Sequence, residues 1–277
     1  MRFSEDDYVS GTIDWLAGRR WMPESQDGAP TCVAHAVTAA LELLSWHETG
    51  QRPEKLSVAN LDGRIRERAS AKPAPDDGDR TRVKLDDARA CLAEAGVPTE
   101  SEHAAPVKPG FAKSAPAKVV IPDGAYMDKP NLATNKAGNA RLIHAILMRG
   151  PVVIAMPGTR DRKYKGWSID LIPTSWTEPL TWQTGVLPNI AQDEDEEPVD
   201  ESGHAVCVVG FQEASKATRS NGGGWFIFRN SWGVDFGADA PTFNWPDEDE
   251  PRIPARGYGA VSARCVDDLC WEWLGFR

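Results

Sequence analysis

The sequence predicts an α+β fold, with a helical first half, a second half built on an antiparallel β-sheet or barrel, and a cleft between the two halves. Three observations favour this fold. A long apolar helical stretch begins at residue 32, a second helix with capping signals spans residues 85–95, and two β-rich runs near residues 205 and 225 flank a glycine-rich loop. A chain of 277 residues is long enough to bury one large core or two abutting subdomains.

We expect the chain to form one domain with three segments. Residues 1–105 form the helical half, residues 106–130 form a proline-rich crossing segment, and residues 131–277 form the β-rich half. A short helix from Arg141, leading to strands after Pro151, opens that last segment.

The apolar helical stretch runs over residues 33–46 and is closed by Gly50, as expected for a buried helix. Pro30 and Thr31 stand where a helix begins, with Thr31 as the expected N-cap. Cys32 then falls in the first turn, where free backbone amides and the positive end of the helix dipole favour a thiolate. A cysteine on an apolar helix is usually a core residue, but this position favours a nucleophile.

Gln26 lies six residues before Cys32. Its side-chain amide could join the backbone N–H of Cys32 in an oxyanion hole, which stabilises the charge that develops on a carbonyl oxygen under attack. Without Cys32, Gln26 would be an ordinary loop residue.

The helix over residues 85–95 is indicated by its two ends. Asp86 and Asp87 stand in its first turn, where carboxylates complement the helix dipole, and Gly96 follows its end.

Two strands and a loop form a hairpin near the C-terminus. Residues 205–211 are apolar and rich in valine, residues 225–229 are aromatic and β-branched, and the polar stretch 212–224 ends in three glycines. The start of the first strand therefore lies beside the end of the second, which pairs His204 with Asn230. A lone histidine at a strand end is more often structural, and this pairing favours a functional role instead.

These three residue types together suit acyl transfer. A thiolate attacks a carbonyl carbon, an imidazole keeps the thiol ionised and later protonates the leaving amine, and an amide oxygen on the other ring nitrogen fixes the tautomer. Cys32, His204 and Asn230 would fill these roles in that order.

The motifs resemble those of the papain-like cysteine peptidases (clan CA, family C1). That family has a glutamine six residues before the catalytic cysteine and later His-Ala-Val and Asn-Ser-Trp-Gly motifs; here these are His204-Ala205-Val206 and Asn230-Ser231-Trp232-Gly233. The resemblance implies a papain-like two-subdomain fold and a peptidase activity. It also implies a set of site residues: Cys32, His204 and Asn230 as catalytic, Gln26 in the oxyanion hole, Trp232 as a shield for the His-Asn hydrogen bond, and Ala155 and Ala205 in the substrate cleft.

Weaker matches extend the resemblance over most of the chain. Residues 13–15 (Ile-Asp-Trp) are similar to the opening of the mature enzyme, residues 150–154 to the first strand of its β half, and residues 257–259 to its closing Gly-Tyr strand. Residues 32–36 and 85–100 are closer to the compact bacterial members of the family.

The chain departs from the family around the nucleophile. The family usually has Gly-Ser-Cys-Trp with another cysteine three residues before the nucleophile, whereas this chain has Ala29-Pro30-Thr31-Cys32-Val33. The usual local disulfide is therefore missing, and specificity does not carry over. Because Ile13-Asp14-Trp15 already lies where a mature chain would start, we expect no propeptide, and any inhibitor or regulator would be a separate molecule.

The composition of the chain indicates which binding partners and which cellular compartment to expect. A net charge of −10 argues against nucleic acid and anionic membranes as partners, and no apolar stretch is long enough to span a bilayer. Met1 begins a charged terminus without a secretory signal, so we expect the cytoplasm or an export route that needs no Sec signal. We expect no cofactor and no metal.

The four remaining cysteines have no predicted catalytic role. Cys91 and Cys207 are expected to be apolar core residues, and the sequence leaves a disulfide between Cys265 and Cys270 open without supporting it. A metal site at Cys265 and Cys270 is a distant alternative, because no second cysteine pair accompanies them.

Two other functional classes stay open. A related thiol acyl-transfer enzyme (a transglutaminase, deamidase or amidase) can use Cys, His and a third polar residue in the same order. A non-catalytic binding module on the same scaffold would be expected to have lost a catalytic residue, and none is lost here. Seven carboxylates within residues 192–201 further suggest a preference for basic peptides and a raised proton affinity of His204.

Overall fold

Helices fill the first half of the chain and an antiparallel sheet dominates the second, so the predicted α+β fold is confirmed. The computed structural model describes residues 9–19, 21–71, 84–104, 139–157, 163–164, 167–168, 176, 179–187, 203–215, 221–240, 251–270 and 272–276. The crossing segment 106–130 and the acidic segment 192–201 lie outside the described residues.

The helices match the sequence patterns where those patterns are strong. None of the described helices is both long and apolar enough to cross a bilayer. Their bounds are α1 Cys32–Thr49, α2 Val58–Ser70, α3 Leu85–Ala95, α4 Glu100–Ala104, α5 Asn139–Leu147, α6 Pro179–Thr184 and α7 Ala263–Leu269.

Six of the described strands form one antiparallel sheet. The strand order is β7-β6-β5-β2-β8, with β1 paired to β5 off this path, and the sheet does not close into a barrel. Strands β3 and β4 pair only with each other. The bounds are β1 Ile13–Asp14, β2 Val152–Pro157, β3 Lys163–Tyr164, β4 Trp167–Ser168, β5 Gly203–Glu213, β6 Gly224–Arg229, β7 Tyr258–Ser262 and β8 Glu272–Gly275.

Strand β5 is buried on both faces, which explains its unbroken apolar sequence. Ala205, Cys207 and Val209 belong to the hydrophobic cluster that contains the apolar face of α1. Val206 and Val208 point the other way, into the cluster formed with α5 and α7. Successive side chains of a strand alternate between faces, so β5 holds the helices of both layers on the sheet.

Helix α1 begins and ends at the predicted residues, but Thr31 does not act as predicted. Gly50 adopts a left-handed conformation and its N–H bonds to the carbonyl of Trp46, which closes the helix. Thr31 occupies the N-cap position, yet its side chain makes no capping hydrogen bond. The first turn of α1 is therefore not capped by the residue that the sequence pattern favoured.

Two other helices are capped by carboxylates from distant parts of the chain. The N–H of Leu85, the first residue of α3, donates to Glu272 Oε2 at 2.8 Å. The N–H of Ala140 at the start of α5 donates to Asp267 Oδ1 at 2.7 Å. Glu272 and Asp267 are both buried, so the C-terminal segment ties helices of both halves to the sheet.

The Gly257-Tyr258-Gly259 match does not close the sheet, because the chain continues after β7. Helix α7 carries it back across the sheet, and β8 adds to the edge of β2. A disulfide between Cys265 and Cys270 does not form: all five cysteines lie in described segments and all are free. Instead, the Cys270 thiol donates to the carbonyl of Glu272.

A buried glutamate lies in the middle of α1. Glu42 is 7% exposed, and the N–H of Leu56 donates to its Oε1 at 2.8 Å. Burial raises the pKa of Glu42 to about 7, although the Leu56 hydrogen bond and the charge of Arg229 lower it. Because its ordinary pKa is 4.5, the folded chain binds more protons than the unfolded chain between these values, and the contribution of Glu42 to stability falls as pH rises through that window.

Replacing Glu42 with glutamine should therefore flatten part of the pH dependence of stability. Glu42→Gln keeps an oxygen for the Leu56 N–H and removes the charge, so relative to the wild type it should gain up to ~3 kcal/mol in unfolding free energy between pH 5 and pH 8. Urea unfolding at both pH values measures the change, with the exposed Glu48→Gln on the same helix as control. An equal pH response in Glu42→Gln and the wild type would contradict the assignment.

Candidate active site

The hairpin of β5 and β6 brings together a histidine and an asparagine that are distant in sequence. His204 is the second residue of β5, and Asn230 follows the last residue of β6. His204 Nε2 lies 2.8 Å from Asn230 Oδ1, and both side chains are buried. The predicted juxtaposition of these two residues is confirmed.

The hydrogen bonds around Asn230 fix the tautomer of His204. The N–H of Ser231 donates to Asn230 Oδ1 at 2.8 Å, so that atom must be the amide oxygen. An oxygen there can only accept, so His204 Nε2 carries the hydrogen and donates it. In the neutral ring, Nδ1 is then the unprotonated nitrogen that can take a proton from a thiol.

Cys32 stands in the first turn of α1, half-buried, with its thiol hydrogen-bonded to the backbone of Ala205, next to His204. Burial raises the pKa of Cys32, which outweighs the backbone hydrogen bonds of Ala205 and Val33 that lower it. The expected stabilising effect of the helix start is thus present, but desolvation is larger. The pKa of Cys32 is therefore raised, whereas the helix start alone was expected to favour the thiolate.

His204 is surrounded by indole rings. Trp232 stacks on its ring at a centroid distance of 4.4 Å, and Trp176 meets it edge-on at 4.7 Å. Burial lowers the pKa of His204 to about 4, while the hydrogen bond to Asn230 raises it. The described surroundings thus act against the raised proton affinity that was expected from the acidic segment.

Gln26 is held from both ends of its side chain. Ser231 Oγ donates to its Oε1 at 2.6 Å, and its Nε2 donates to the carbonyl of Ala29 at 2.5 Å. Its backbone N–H also donates to the carbonyl of Ser231 at 2.8 Å. An amide nitrogen has two hydrogens, so one remains for a ligand beyond Ala29.

The two alanines predicted in the cleft differ in exposure. Ala155 and Ala205 are cross-strand partners on β2 and β5. Ala155 is half-buried, whereas Ala205 is 1% exposed and contacts the thiol through its backbone. Ala205 therefore has almost no side-chain surface to present to a substrate.

Sequence reasoning missed two side chains of the site. Trp176 comes from a tryptophan-rich stretch whose local pattern does not single it out, and it is 2% exposed against His204. Ser231 could have been noticed as part of Asn-Ser-Trp-Gly, but its contact with Gln26 spans most of the chain.

The other polar groups do not suggest a second centre. His35, one turn after Cys32, is buried with its Nδ1 3.9 Å from Glu24 Oε2, and burial lowers its pKa. Within the described segments, no three His, Cys, Asp or Glu side chains gather as a metal site would require.

Solved structures that resemble this one include cysteine proteases. Bromelain from Ananas comosus, solved in complex with the E64 inhibitor, is 16% identical, with a TM-score of 0.52 over 97% of this chain and 99% of that chain. Xylellain from Xylella fastidiosa is 18% identical, with a TM-score of 0.54 over 96% and 86%. A structure on the mite allergens Blo t 1 and Der p 1 is 18% identical, with a TM-score of 0.55 over 96% and 71%.

Comparison at the level of sequence finds no relative. No protein-family model and no curated protein matches the chain. The papain-like two-subdomain fold is nevertheless clear from the structural likeness, which covers almost the whole chain. Activity does not follow from a shared fold and has to be argued from the site.

The indole rings should control the proton affinity of His204. In a Cys32→Ala background, where no thiol can share a proton, the imidazole should titrate near pKa 4, and Trp232→Ala should raise that pKa toward 6.5 by admitting water. A pH titration by NMR, with the His204 signal assigned by its loss in His204→Gln, measures both values. Trp182→Ala is the control, because Trp182 stacks on Trp232 at 5.5 Å and is partly exposed. An unchanged pKa in Trp232→Ala would show that burial by this ring is not the cause.

Proposed function

We propose that the chain is a cysteine peptidase that hydrolyses peptide bonds of a protein or peptide substrate through an acyl-enzyme intermediate. The observation that carries the proposal is the hydrogen bond from His204 Nε2 to Asn230 Oδ1, with the thiol of Cys32 bonded to the backbone of the residue after His204. The likeness to papain-like cysteine proteases supports the same reaction class.

The first half-reaction forms the acyl-enzyme. As Cys32 Sγ attacks the carbonyl carbon, the thiol proton passes to His204 Nδ1, and the negative charge moves to the carbonyl oxygen. The Cys32 backbone N–H and Gln26 Nε2 would donate to that oxygen. The carbon–nitrogen bond then breaks, the imidazolium gives its proton to the leaving amine, and a thioester remains on Cys32.

The second half-reaction restores the enzyme. Water attacks the thioester carbonyl, and His204 takes the proton of that water. The thiolate of Cys32 leaves and regains a proton from the imidazolium, so that a carboxylic acid is released. Asn230 keeps the imidazole in one orientation through both steps. Trp232 and Trp176 exclude water from the hydrogen bond between His204 and Asn230.

Thiol-directed labelling tests the dyad before any substrate is known. A thiol-directed epoxide should label Cys32 stoichiometrically in the wild type and fail in His204→Ala, because the neutral thiol reacts slowly without a base. Intact mass and peptide mapping measure the label. Cys207 and Cys270 act as internal controls, because burial raises the pKa of both thiols. Equal labelling of Cys32 in His204→Ala would remove the basis of the mechanism.

Peptide hydrolysis then distinguishes the reaction classes. Cys32→Ala should abolish turnover, and the wild type should release a free carboxylate even when a primary amine is added. Transfer of the acyl group to that amine in place of water would assign the chain to the acyl-transfer class instead.

Substitutions of Gln26 and of Ser231, which holds the Gln26 side chain, should differ in how much they lower kcat. Gln26→Ala should lower kcat by about 10²- to 10³-fold through the loss of one oxyanion donor. Ser231→Ala leaves the Gln26 amide in place but less firmly held, so its loss should be smaller. Steady-state kinetics on one peptide substrate decide the matter: if Gln26→Ala raises only KM, the oxyanion role is wrong.

A further inference from the structure

The turn before the nucleophile has an unusual backbone and no covalent anchor. Asp27 and Gly28 have φ values of 48° and 77°, so two consecutive residues are left-handed, which is rare for a non-glycine residue. Ala29 stands where the family resemblance would have a cysteine, so no local disulfide holds this turn. Thr31 makes no side-chain cap to α1. The position of Cys32 must therefore depend on other contacts.

On the side of the sheet, Ser231 holds the turn through the hydrogen bonds with Gln26 described above. On the side of the helices, one arginine of α2 makes the contact. Arg66 Nη2 donates to the carbonyl of Pro30, two residues before Cys32. Arg66 Nε donates at 2.7 Å to Asp62 Oδ2, one helical turn earlier. Asp62 thus fixes the guanidinium in the orientation in which it reaches Pro30.

The same ion pair affects the electrostatics of the thiol. Burial is the main cause of the raised pKa of Cys32, and the charge of the Asp62 carboxylate, which is 16% exposed, adds a smaller increase. Arg66 binds that carboxylate directly and offsets its charge. The other titratable groups in this neighbourhood are His204 on β5, His35 on α1, and Glu24, which is paired with Lys55 at 2.7 Å.

We propose that Arg66 is a positioning residue of the active site, a non-covalent clamp in place of the absent disulfide, which fixes the nucleophile turn to α2 and neutralises Asp62 beside the thiol. The proposal rests on the proposed function, since it concerns Cys32 as the nucleophile. Unlike a disulfide, such a clamp works equally well under reducing and oxidising conditions.

The test measures the reactivity of the thiol, not peptide turnover. The rate of Cys32 alkylation by iodoacetamide is followed from pH 5 to pH 10 by peptide mapping, which reports the pH at which the thiol becomes reactive. Arg66→Met should move that midpoint upward by about 0.5–1 pH unit, a modest shift because the guanidinium is 38% exposed and screened by water. Adding Asp62→Asn to Arg66→Met should move the midpoint back.

Arg64 provides a matched control on the same helix. It is half-buried like Arg66 and likewise makes two side-chain hydrogen bonds, but both go to the carbonyls of Gly96 and Cys91, in α3 and just after its end. Arg64→Met should lower the melting temperature at least as much as Arg66→Met and leave the alkylation midpoint unchanged. Equal midpoints in Arg66→Met and the wild type, or an equal shift in Arg64→Met, would overturn the proposal.

A conservative variant separates charge from geometry. Arg66→Lys keeps a positive charge near Asp62 but has no planar fork to reach Asp62 and Pro30 together. It should restore the alkylation midpoint and only part of kcat. If the wild type hydrolyses no peptide while Arg66→Met still shifts the midpoint, the clamp stands and the peptidase assignment fails.

Discussion

The antiparallel pairing of β5 with β6 is the constraint on which the rest of the structure depends. It brings His204 to Asn230, and it lays β5 between the α1 layer and the layer of α5 and α7. A shift of one residue in register would turn each β5 side chain to the opposite face, exchanging the two cores and moving the imidazole away from the amide. The apolar pattern of β5 and the geometry of the site are therefore fixed by the same hydrogen bonds. The backbone approach of β1 to Gly210, where a Cβ would lie 2.7 Å from the carbonyl of Ile13, further pins this strand.

Burial favours the neutral forms of the Cys32 thiol and the His204 imidazole. Burial acts in the same sense on both, raising the pKa of the Cys32 thiol and lowering that of the His204 imidazole. Burial thus disfavours a charge on either group alone. Formation of both charges at once is different, because opposite charges attract more strongly where water is excluded than in bulk water. In the proposed mechanism, proton transfer would therefore be coupled to attack, and the same desolvation would strengthen any hydrogen bond to the developing oxyanion.

The parts of the fold that could be predicted are those with local signals. The apolar periodicity and Gly50 predicted α1, and the charged first turn and Gly96 predicted α3. The glycine-rich loop predicted the hairpin that pairs His204 with Asn230. Parts set by distant contacts were missed, such as β8 beyond the supposed closing strand, the open edge of the sheet, and the capping of α3 by Glu272. The direction of the pKa shift of Cys32 could not be predicted for the same reason. A helix start is visible in a sequence, but the burial that outweighs it is not.

The segment from Trp21 to Gln26 is hydrogen-bonded to the end of β6, next to the residues that hold His204. Arg229 lies over the Trp21 ring at 4.2 Å and donates to the carbonyl of Met22 at 2.9 Å, and the N–H of Gly233 donates to the carbonyl of Glu24 at 3.0 Å. These bonds flank Asn230 on both sides in the sequence. Any displacement of the end of β6 would therefore move Asn230 and Gln26 together, so that the His204 imidazole and the Gln26 amide shift as one body relative to α1. The helix-side contact of Arg66 with Pro30 opposes that shift, because it ties the far end of the same turn to the half of the molecule that carries Cys32.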